Sequence, residues 1–347
     1  MINEIWLILT AVFILACGLV WAILKLALKS NSLMDEPNLR SSHAMVTPRG
    51  GGIAMAASFL FGISVYYFAI GNLSPHFYLA VCGAAVAIAV VGFCDDVRSV
   101  SAKLRLVVHG ISAIWVMYWL KGLPQLQLIG EWGMPVELGF VLGTLGIIWL
   151  INLYNFMDGI DGIASFEAIS VSLACAFLYY LIGETEDMAK PLLLTCAVAG
   201  FAVWNFPRAK IFMGDSGSGF LGLLMAVLAI DAGWLNPDLF WAWLIMLGVF
   251  IVDASFTLVR RMLQRQTLYE AHRSHAYQIA AQRVGAHVPV TLGITLINIL
   301  WLLPLAVCVV LNYVDGVLGV LLAYIPLVLL AGYLGAGSKA VGGLSHG

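Results

Sequence analysis

Charged side chains are scarce in this sequence. Asp, Glu, Lys and Arg make up 10% of its 347 residues, whereas a soluble domain carries about 25%. Hydrophobic residues account for 62%. This composition excludes a soluble globular protein and predicts an integral membrane protein. The net charge is −2, and no nucleic-acid partner is expected.

Paired cysteines and internal repeats are also lacking. The six cysteines are scattered through apolar runs, at Cys17, Cys82, Cys94, Cys175, Cys196 and Cys308. Without a CxxC or Cys/His spacing, neither a disulfide framework nor a zinc site is supported. The lack of a motif repeat argues against the repeat-built transporter folds. The first apolar run is too long for a cleavable signal and lacks a basic leader, so we expect it to remain as a span.

Long apolar runs are what the chain has in abundance. A spanning helix needs about 20 apolar residues. This length predicts eleven spans, at 5–28, 53–70, 77–93, 105–120, 138–153, 163–182, 190–204, 217–232, 238–259, 289–312 and 316–335. The predicted fold is therefore all-α: a polytopic membrane protein that forms a single domain over residues 1–347.

The distribution of Lys and Arg predicts the orientation, because basic loops stay on the cytoplasmic side. The basic residues lie in the loops at about 29–52, 94–104, 153–163, 205–216 and 260–288. The other side holds only Lys121 and Lys190. We therefore expect a periplasmic N-terminus and a cytoplasmic C-terminus. Residues 121–137, on the far side, are compatible with a small hairpin.

A polar stretch between two apolar runs is the most distinctive feature. Four amide and acid side chains recur every three residues, at Asn152, Asn155, Asp158 and Asp161. On a helix they would form a narrow polar stripe. An Asp at the centre of a spanning helix costs about 2.5–3.5 kcal/mol. The alternative is a solvated loop, which the neighbouring glycines allow, but such loops rarely hold so regular a spacing.

Asp95 and Asp96 end the third predicted span. Adjacent helical residues point about 100° apart, so the two acids are expected to have different roles, one of them metal binding. The alternative is a helix end at which Asp96 pairs with Arg98 or Lys103. Two acids at the C-terminal end of a helix interact unfavourably with its dipole, which that alternative leaves unexplained.

Asp215 lies at the start of the eighth predicted span, and anions are favoured there. It could simply cap this helix. Capping does not explain why Arg208, Lys210 and a Gly-Ser-Gly run gather beside it. These neighbours favour a phosphate–metal site.

Two further loops carry basic residues suited to phosphate. Arg49 precedes the glycines 50–52, whose N–H groups could approach a phosphate before a span begins; a flexible turn is the equal alternative. His272, Arg273 and His275 suit a polyanion, and an amphipathic helix on anionic lipid is the alternative for that segment. Asp253, in the ninth span, is expected to steer Arg260 or a neighbour.

All these polar residues are predicted to face one side of the membrane. The acids supply hard oxygen ligands, which suit Mg²⁺ or Mn²⁺ rather than zinc. The basic residues suit a substrate with several phosphates, and a divalent cation lets carboxylates and phosphates meet. The membrane location indicates that one substrate is a lipid. The competing class is an ion- or proton-coupled transporter, in which acids would be spread through the membrane.

Five strings together resemble the polyprenyl-phosphate N-acetylhexosamine-1-phosphate transferases, glycosyltransferase family 4. They are D-E-P-N-L-R-S-S-H…T-P-R-G-G-G, F-C-D-D, N-L-Y-N-F-M-D-G-I-D-G, I-F-M-G-D-S-G-S and H-R-S-H. The resemblance implies transfer of N-acetylhexosamine-1-phosphate from a UDP-sugar to undecaprenyl phosphate, with release of UMP. It also implies a Mg²⁺ requirement, which Mn²⁺ could also meet, and a bacterial inner-membrane location with the active site facing the cytoplasm.

The resemblance also implies residue roles. Asp215 matches the metal ligand, and Phe212 matches an aromatic that stacks on uracil. The residues matched to catalysis are Asp95, Asp96, Asp161, His272 and His275. Those expected to bind substrate, from the resemblance or from the patterns above, are Arg49, Asn152, Asn155, Asp158, Phe212 and Arg273. Membrane lipids are expected partners, and a homodimer is left open.

The histidine motif departs from the denser run of most family members. The string H-R-S-H-A-Y-Q resembles the branch that initiates O-antigen synthesis, whose sugars include N-acetylglucosamine, N-acetylfucosamine and N-acetylquinovosamine. This leaves the sugar open.

Overall fold

The computed structural model describes residues 2–30, 33–35, 45–129, 132–266 and 272–338. Most of the string D-E-P-N-L-R-S-S-H, part of the loop 260–288 and the tail after Ser338 lie outside the described residues. Predictions that fall on those segments are not addressed by the structure.

The described chain is helical almost throughout, as the composition predicts. Its helices are α1 (Ile2–Ser30), α2 (Gly52–Val65), α3 (Pro75–Val97), α4 (Ala102–Trp119), α5 (Val136–Met157), α6 (Ile163–Leu181), α7 (Ala189–Asn205), α8 (Asp215–Leu235), α9 (Pro237–Met246), α10 (Gly248–Leu263), α11 (Ala276–Val284), α12 (Val288–Ile297), α13 (Leu303–Val310) and α14 (Gly316–Leu334). Short π-helical segments continue α2 over Tyr66–Ile70 and join α12 to α13 over Asn298–Leu302.

Strands are confined to two short antiparallel pairs. β1 (Met34–Asp35) pairs with β2 (Thr47–Pro48), ahead of α2. β3 (Gln127–Ile129) pairs with β4 (Trp132–Gly133), between α4 and α5. The second pair lies within residues 121–137, where the sequence allows a hairpin.

Among the described residues, eight helical segments are long and apolar enough to cross a membrane. A ninth crossing is obtained if α9 and α10, bent by 64° at Leu247, form one broken span. α7 is apolar but has 17 residues, and α4 carries Lys103, Arg105 and His109 near its start. The protein is thus an all-α, multi-pass membrane protein. Eleven spans and their orientation stay predictions.

α8 forms the centre of the bundle. Of its most apolar 18-residue window, 83% is buried inside the protein, against 22% for α14. It packs against α2, α3, α5 and α9, so its N-terminus is surrounded by the ends of other helices. This arrangement brings residues distant in sequence to one point.

Candidate active site

The N-terminus of α8 is capped by a side chain from α3. Asp96 is only 3% exposed. Its carboxylate accepts hydrogen bonds from the Asp215 and Ser216 amides (2.9 and 3.3 Å) and from Ser216 Oγ (2.9 Å). The first N–H groups of a helix lack intrahelical partners, and a carboxylate there also meets the positive end of the dipole. Asp96 therefore stabilises the start of α8.

Two sequence-based alternatives are wrong on this point. Asp96 does not pair with Arg98 or Lys103, and Asp215 is the first residue of α8 rather than its cap. Gly214 precedes it with φ +73°, and a Cβ there would lie 2.4 Å from Asp96 Oδ2. Only glycine fits this backbone and this close approach.

The Asp215 carboxylate is held from two sides. Asn155 Nδ2 donates to Asp215 Oδ1 at 2.7 Å. Arg105 Nη1 donates to Asp215 Oδ2 at 2.5 Å and to Asp95 Oδ2 at 2.8 Å. The other oxygen of Asp95 accepts from the Val100 amide at 2.6 Å. Side chains from α3, α4 and α5 thus converge on the first residue of α8.

Arg105 is a site residue that the sequence interpretation missed. The sequence pattern predicts Arg98 or Lys103 as the partner of Asp96, not Arg105. Ser101 caps α4, and this residue type just before the apolar run is a helix-start signal. That signal could have placed Arg105 on the first turns of α4, facing the end of α3.

The polar stripe predicted for a single helix is only partly helical. α5 ends at Met157, so Asp158 follows its last residue and Asp161 lies in the turn before α6. Gly162, with φ +73°, is the N-cap residue just before α6. Asn152 is helical, and its amide donates to the Ile148 carbonyl at 2.7 Å.

Asp161 is positioned by three neighbours. Its Oδ2 accepts from the Ala209 amide at 3.2 Å, and its Oδ1 lies 3.3 Å from His287 Nδ1. Thr291 Oγ1 donates to its backbone carbonyl at 2.9 Å. His287 is a second residue that the sequence interpretation missed. Nothing in its spacing links it to an acid 126 residues earlier.

The glycine run before α2 does not offer all its N–H groups to a ligand. The Gly51 and Gly52 amides donate to the carbonyls of Phe212 and Met213 at 3.0 and 2.9 Å. The Phe212 amide in turn donates to the Pro48 carbonyl at 2.7 Å. These bonds join the first and fourth predicted loops, so the expectation that this run cradles a phosphate is wrong for these two amides.

Two cavities meet at Asp215. The larger one, of about 240 Å³, is lined by Asp35, Arg49, Asp96, Asn155, Asp158, Gly159, Ile160, Asp161, Asn205, Phe212, Gly214, Asp215, Ser218 and His287. The smaller one, of about 70 Å³, is lined by Ile88, Val91, Gly92, Arg105, His109, Ile151, Asn152, Asn155, Phe156, Asp215 and Gly219. Asn155 and Asp215 line both cavities, whereas Asp95, which pairs with Arg105, lines neither.

Asp158, in the wall of the larger cavity, has a raised pKa. Removal from water, together with the carboxylates of Asp215, Asp96 and Asp161, raises this pKa from 3.8 to about 7. A carboxyl group with a pKa near neutrality can exchange a proton with a phosphate at the operating pH.

The histidine motif lies beside the cavity rather than in its wall. Neither His272, Arg273 nor His275 lines the larger cavity. His275 is 2% exposed and is the N-cap residue just before α11. Burial and the neighbouring His275 and Arg261 lower the pKa of His272 to about 4, so His272 is neutral at pH 7. The predicted roles of these residues at a diphosphate stay predictions.

Asp253 holds the start of α11. Its carboxylate accepts from the Ala276 and Tyr277 amides at 2.8 and 2.9 Å, which caps α11. It does not steer Arg260, which donates to the carbonyl of Ala336. Tyr277 Oη then donates to the Phe156 carbonyl at 3.0 Å. The motif therefore supports the end of α5, where Asp158 lies.

The donor set suits a hard cation. The acids and amides around Asp215 offer oxygen, and the described residues contain no group of three or more His, Cys, Asp or Glu arranged to hold a metal. Mg²⁺ usually keeps several waters and binds through one or two carboxylates plus substrate phosphates. Oxygen donors of this kind are compatible with Mg²⁺ or Mn²⁺, and Asp215 as the protein ligand stays a prediction.

Comparison with known proteins gives a consistent result. Residues 78–233 match the sequence model of glycosyl transferase family 4. A probable undecaprenyl-phosphate N-acetylglucosaminyl 1-phosphate transferase from Bacillus subtilis is 29% identical over 264 residues, covering 73% of this chain and 70% of the relative. Undecaprenyl-phosphate alpha-N-acetylglucosaminyl 1-phosphate transferases from Thermotoga maritima and Escherichia coli K12 are 25% and 29% identical, over 76% and 72% of this chain and 78% and 70% of the relatives.

Fold and site together define a multi-pass membrane protein with an acidic site at one end of a helical bundle, and its relatives are transferases. The match to the family model and these relatives support the predicted family, the polyprenyl-phosphate hexosamine-1-phosphate transferases of glycosyl transferase family 4.

Proposed function

We propose that this protein transfers N-acetylhexosamine-1-phosphate from a UDP-sugar to undecaprenyl phosphate, releasing UMP and forming undecaprenyl-diphospho-sugar. The names of its relatives support an undecaprenyl-phosphate acceptor and a sugar-1-phosphate donor group. UDP-N-acetylglucosamine is the first donor to test. Initiation of O-antigen or a related surface glycan is the pathway we propose, at the cytoplasmic face of a bacterial inner membrane.

The observation that carries this proposal is that two cavities share Asp215 and Asn155. A reaction between two phosphate-bearing substrates needs a common point at which their charges are neutralised. The larger cavity, with Arg49 and Phe212 in its wall, suits the nucleotide diphosphate. The smaller cavity lies among α3, α4, α5 and α8, nearer the apolar part of the bundle, and suits the phosphate of a lipid.

The reaction we propose forms one P–O bond and breaks another. An oxygen of the lipid phosphate attacks the β-phosphorus of the UDP-sugar, and UMP leaves with the electron pair of the broken bond. Asp215, oriented by Asn155, would hold Mg²⁺, which when bound neutralises charge on the diphosphate. Asp158 lines the cavity and can accept a proton from the attacking phosphate at neutral pH. Asp96 contributes by fixing the start of α8.

The rival route has two steps and passes through an aspartyl-phosphate. It requires a carboxylate oxygen that can reach the β-phosphorus. Asp96 is poorly suited to this because both its oxygens accept hydrogen bonds at the start of α8. Trapping a phosphorylated enzyme from β-labelled donor without lipid acceptor would contradict the single-step route.

The test is UMP release by purified protein with undecaprenyl phosphate, Mg²⁺ and a panel of UDP-N-acetylhexosamines. We expect release with at least one donor only when the lipid and Mg²⁺ are both present. Asp215→Asn should lower the rate by about a hundredfold or more, in the range reported for loss of one transition-state-stabilising group. Glu137→Gln, an exposed acid at the other end of α5, is the matched control. Full activity of Asp215→Asn would contradict the metal assignment.

A further inference from the structure

One guanidinium nitrogen serves two carboxylates at the candidate active site. Arg105 Nη1 lies 2.8 Å from Asp95 Oδ2 and 2.5 Å from Asp215 Oδ2. Arginine stays protonated at any accessible pH, so a fixed positive charge lies between the two acids. Arg105 is also partly solvent-accessible, with 33% of its side chain exposed.

The same carboxylate oxygen is the one that a cation would need. Asp215 Oδ1 already accepts from Asn155 at 2.7 Å, so Oδ2 is the oxygen whose partner carries a full charge. A divalent cation at Oδ2 would lie within a few ångströms of the guanidinium. Like charges at that distance repel strongly in a partly buried site, so the two cannot occupy their best positions together.

We propose that Arg105 is a displaceable stand-in for the divalent cation. It neutralises Asp95 and Asp215 before the cation binds, and it gives up Asp215 as the cation binds. This inference rests on the proposed function, in which Asp215 holds Mg²⁺. Asp95 retains the guanidinium in the second state, because Asp95 is itself fixed by the Val100 amide.

The arrangement gives the two paired acids different tasks. Asp96 fixes the backbone at the start of α8, whereas Asp95 tethers Arg105. Arg105 also lines the smaller cavity. Displacing Arg105 from Asp215 costs free energy, so it weakens binding of the cation when no substrate is present. An anion in the smaller cavity would offset part of this cost by accepting hydrogen bonds from the released guanidinium.

Binding of Mn²⁺ alone, followed by electron paramagnetic resonance, tests the competition. Arg105→Gln removes the competing charge and should bind Mn²⁺ about tenfold more tightly than the unmodified protein. Arg98→Gln is the matched control: Arg98 is exposed, lies three residues after Asp95, and makes no ion pair with either acid among the described residues. Its Mn²⁺ affinity should stay within about threefold of the unmodified protein.

Two outcomes separate this inference from the function it rests on. If Mn²⁺ binds the unmodified protein but binds Arg105→Gln equally or more weakly, the stand-in role is wrong and the metal site remains. If Mn²⁺ binds neither protein, even with UDP-sugar present, the metal role of Asp215 fails and this inference fails with it.

A second measurement needs no variant at all. Phenylglyoxal modifies accessible arginines, and peptide mass spectrometry reports the rate at each residue. Adding Mg²⁺ to the unmodified protein should speed modification of Arg105 about threefold or more, because its guanidinium loses one carboxylate. Modification of Arg98 should not change. An Arg105 rate that is unchanged or lowered by Mg²⁺ would overturn the proposal.

Discussion

Three neighbouring aspartates differ because their hydrogen-bond partners differ. Asp96 accepts from backbone amides at a helix start, Asp215 accepts from Asn155 and Arg105, and Asp158 lies near other carboxylates without a neutralising partner in the described contacts. Residue type alone would have made them equivalent. Their separate roles follow from the elements that end beside them.

The raised pKa of Asp158 predicts a pH dependence of stability. Its pKa is about 7 in the folded protein and 3.8 as an ordinary value. Between these values the folded protein keeps a proton that the unfolded chain has released, so stability falls as pH rises through this window. The total effect is roughly 2–4 kcal/mol. Above pH 7 it is constant.

Asp158→Asn should remove this dependence. Without divalent cations in detergent, the variant should gain thermal stability relative to the unmodified protein between pH 5 and pH 7, and no more beyond pH 7.5. Glu137→Gln, an exposed acid, should follow the unmodified protein throughout. Melting curves of Asp158→Asn that run parallel to the unmodified protein across this range would show that Asp158 titrates normally.

At the residue scale, the sequence identified part of the wall of the larger cavity. Arg49, Asn155, Asp158, Asp161, Phe212 and Asp215 were predicted from local patterns or the family resemblance, and all line the larger cavity. His287 could not be linked to Asp161, because the contact depends on how the start of α12 packs. Arg105 could have been placed from the helix-start signal at Ser101. Asp253 was identified as an intramembrane acid, but two of its partners are the Ala276 and Tyr277 amides, which leave no side-chain signature. Its side-chain partners are Thr257 and His275.

At the scale of elements, α11 and the end of α5 form one support. Tyr277 Oη donates to the Phe156 carbonyl. A Cβ on Gly159 would lie 2.2 Å from the same Tyr277 Oη. The next-nearest atoms, in Gln278 and Tyr277, are 3.2 Å away. The hydroxyl is therefore what restricts position 159 to glycine.

Removing the Tyr277 hydroxyl is therefore predicted to rescue a substitution at Gly159. Gly159→Ala alone should lower activity by about tenfold or more and reduce thermal stability, because Tyr277 must move. Tyr277→Phe alone should cost about 1 kcal/mol, the value of one hydrogen bond. The double variant should be less damaged than Gly159→Ala, with a coupling energy of about 1–3 kcal/mol.

Gly146→Ala is the control for this pair, since Gly146 lies in α5, the helix that ends just before Gly159, and a Cβ there meets nothing within 4 Å. It should be neutral in both assays. Strictly additive losses in the double variant would mean that Tyr277 does not set the geometry of this loop.

Helix existence was predictable from apolar length, but helix breaks were not. The predicted span 238–259 is bent by 64° at Leu247, where α9 ends and α10 begins. No proline marks the break, and hydropathy is insensitive to it. Likewise, the three-residue spacing from Asn152 to Asp161 predicted one helix, although α5 ends within this stretch. The spacing of the polar residues continues through a glycine-rich turn, so it does not reveal where the helix ends.

At the scale of the whole molecule, the ends of α3, α5 and α7 and the starts of α4 and α8 meet at one end of the bundle. The opposite end has its own ionic cluster, in which the buried Lys190 pairs with Asp187 and Asp231 at 2.5 Å each. The transporter alternative required acids spread through the membrane. The family assignment and the clustering around Asp215 favour chemistry at one face.

Cysteine accessibility tests the proposed orientation. In a variant without native cysteines, Ser99→Cys beside the site and Glu184→Cys in the loop between α6 and α7 place exposed thiols at opposite ends. In spheroplasts, a membrane-impermeant maleimide should label position 184 and spare position 99 until the membrane is permeabilised. The reverse pattern would put the site on the outside.

Donor labelled with ³²P in its β-phosphate tests the central claim most directly, because it follows the atom that the site is proposed to transfer. Incubated with undecaprenyl phosphate and Mg²⁺, the protein should move the label into the lipid fraction and release unlabelled UMP. Release of labelled UDP, or label that never enters the lipid with any UDP-N-acetylhexosamine, would contradict phosphosugar transfer at Asp215.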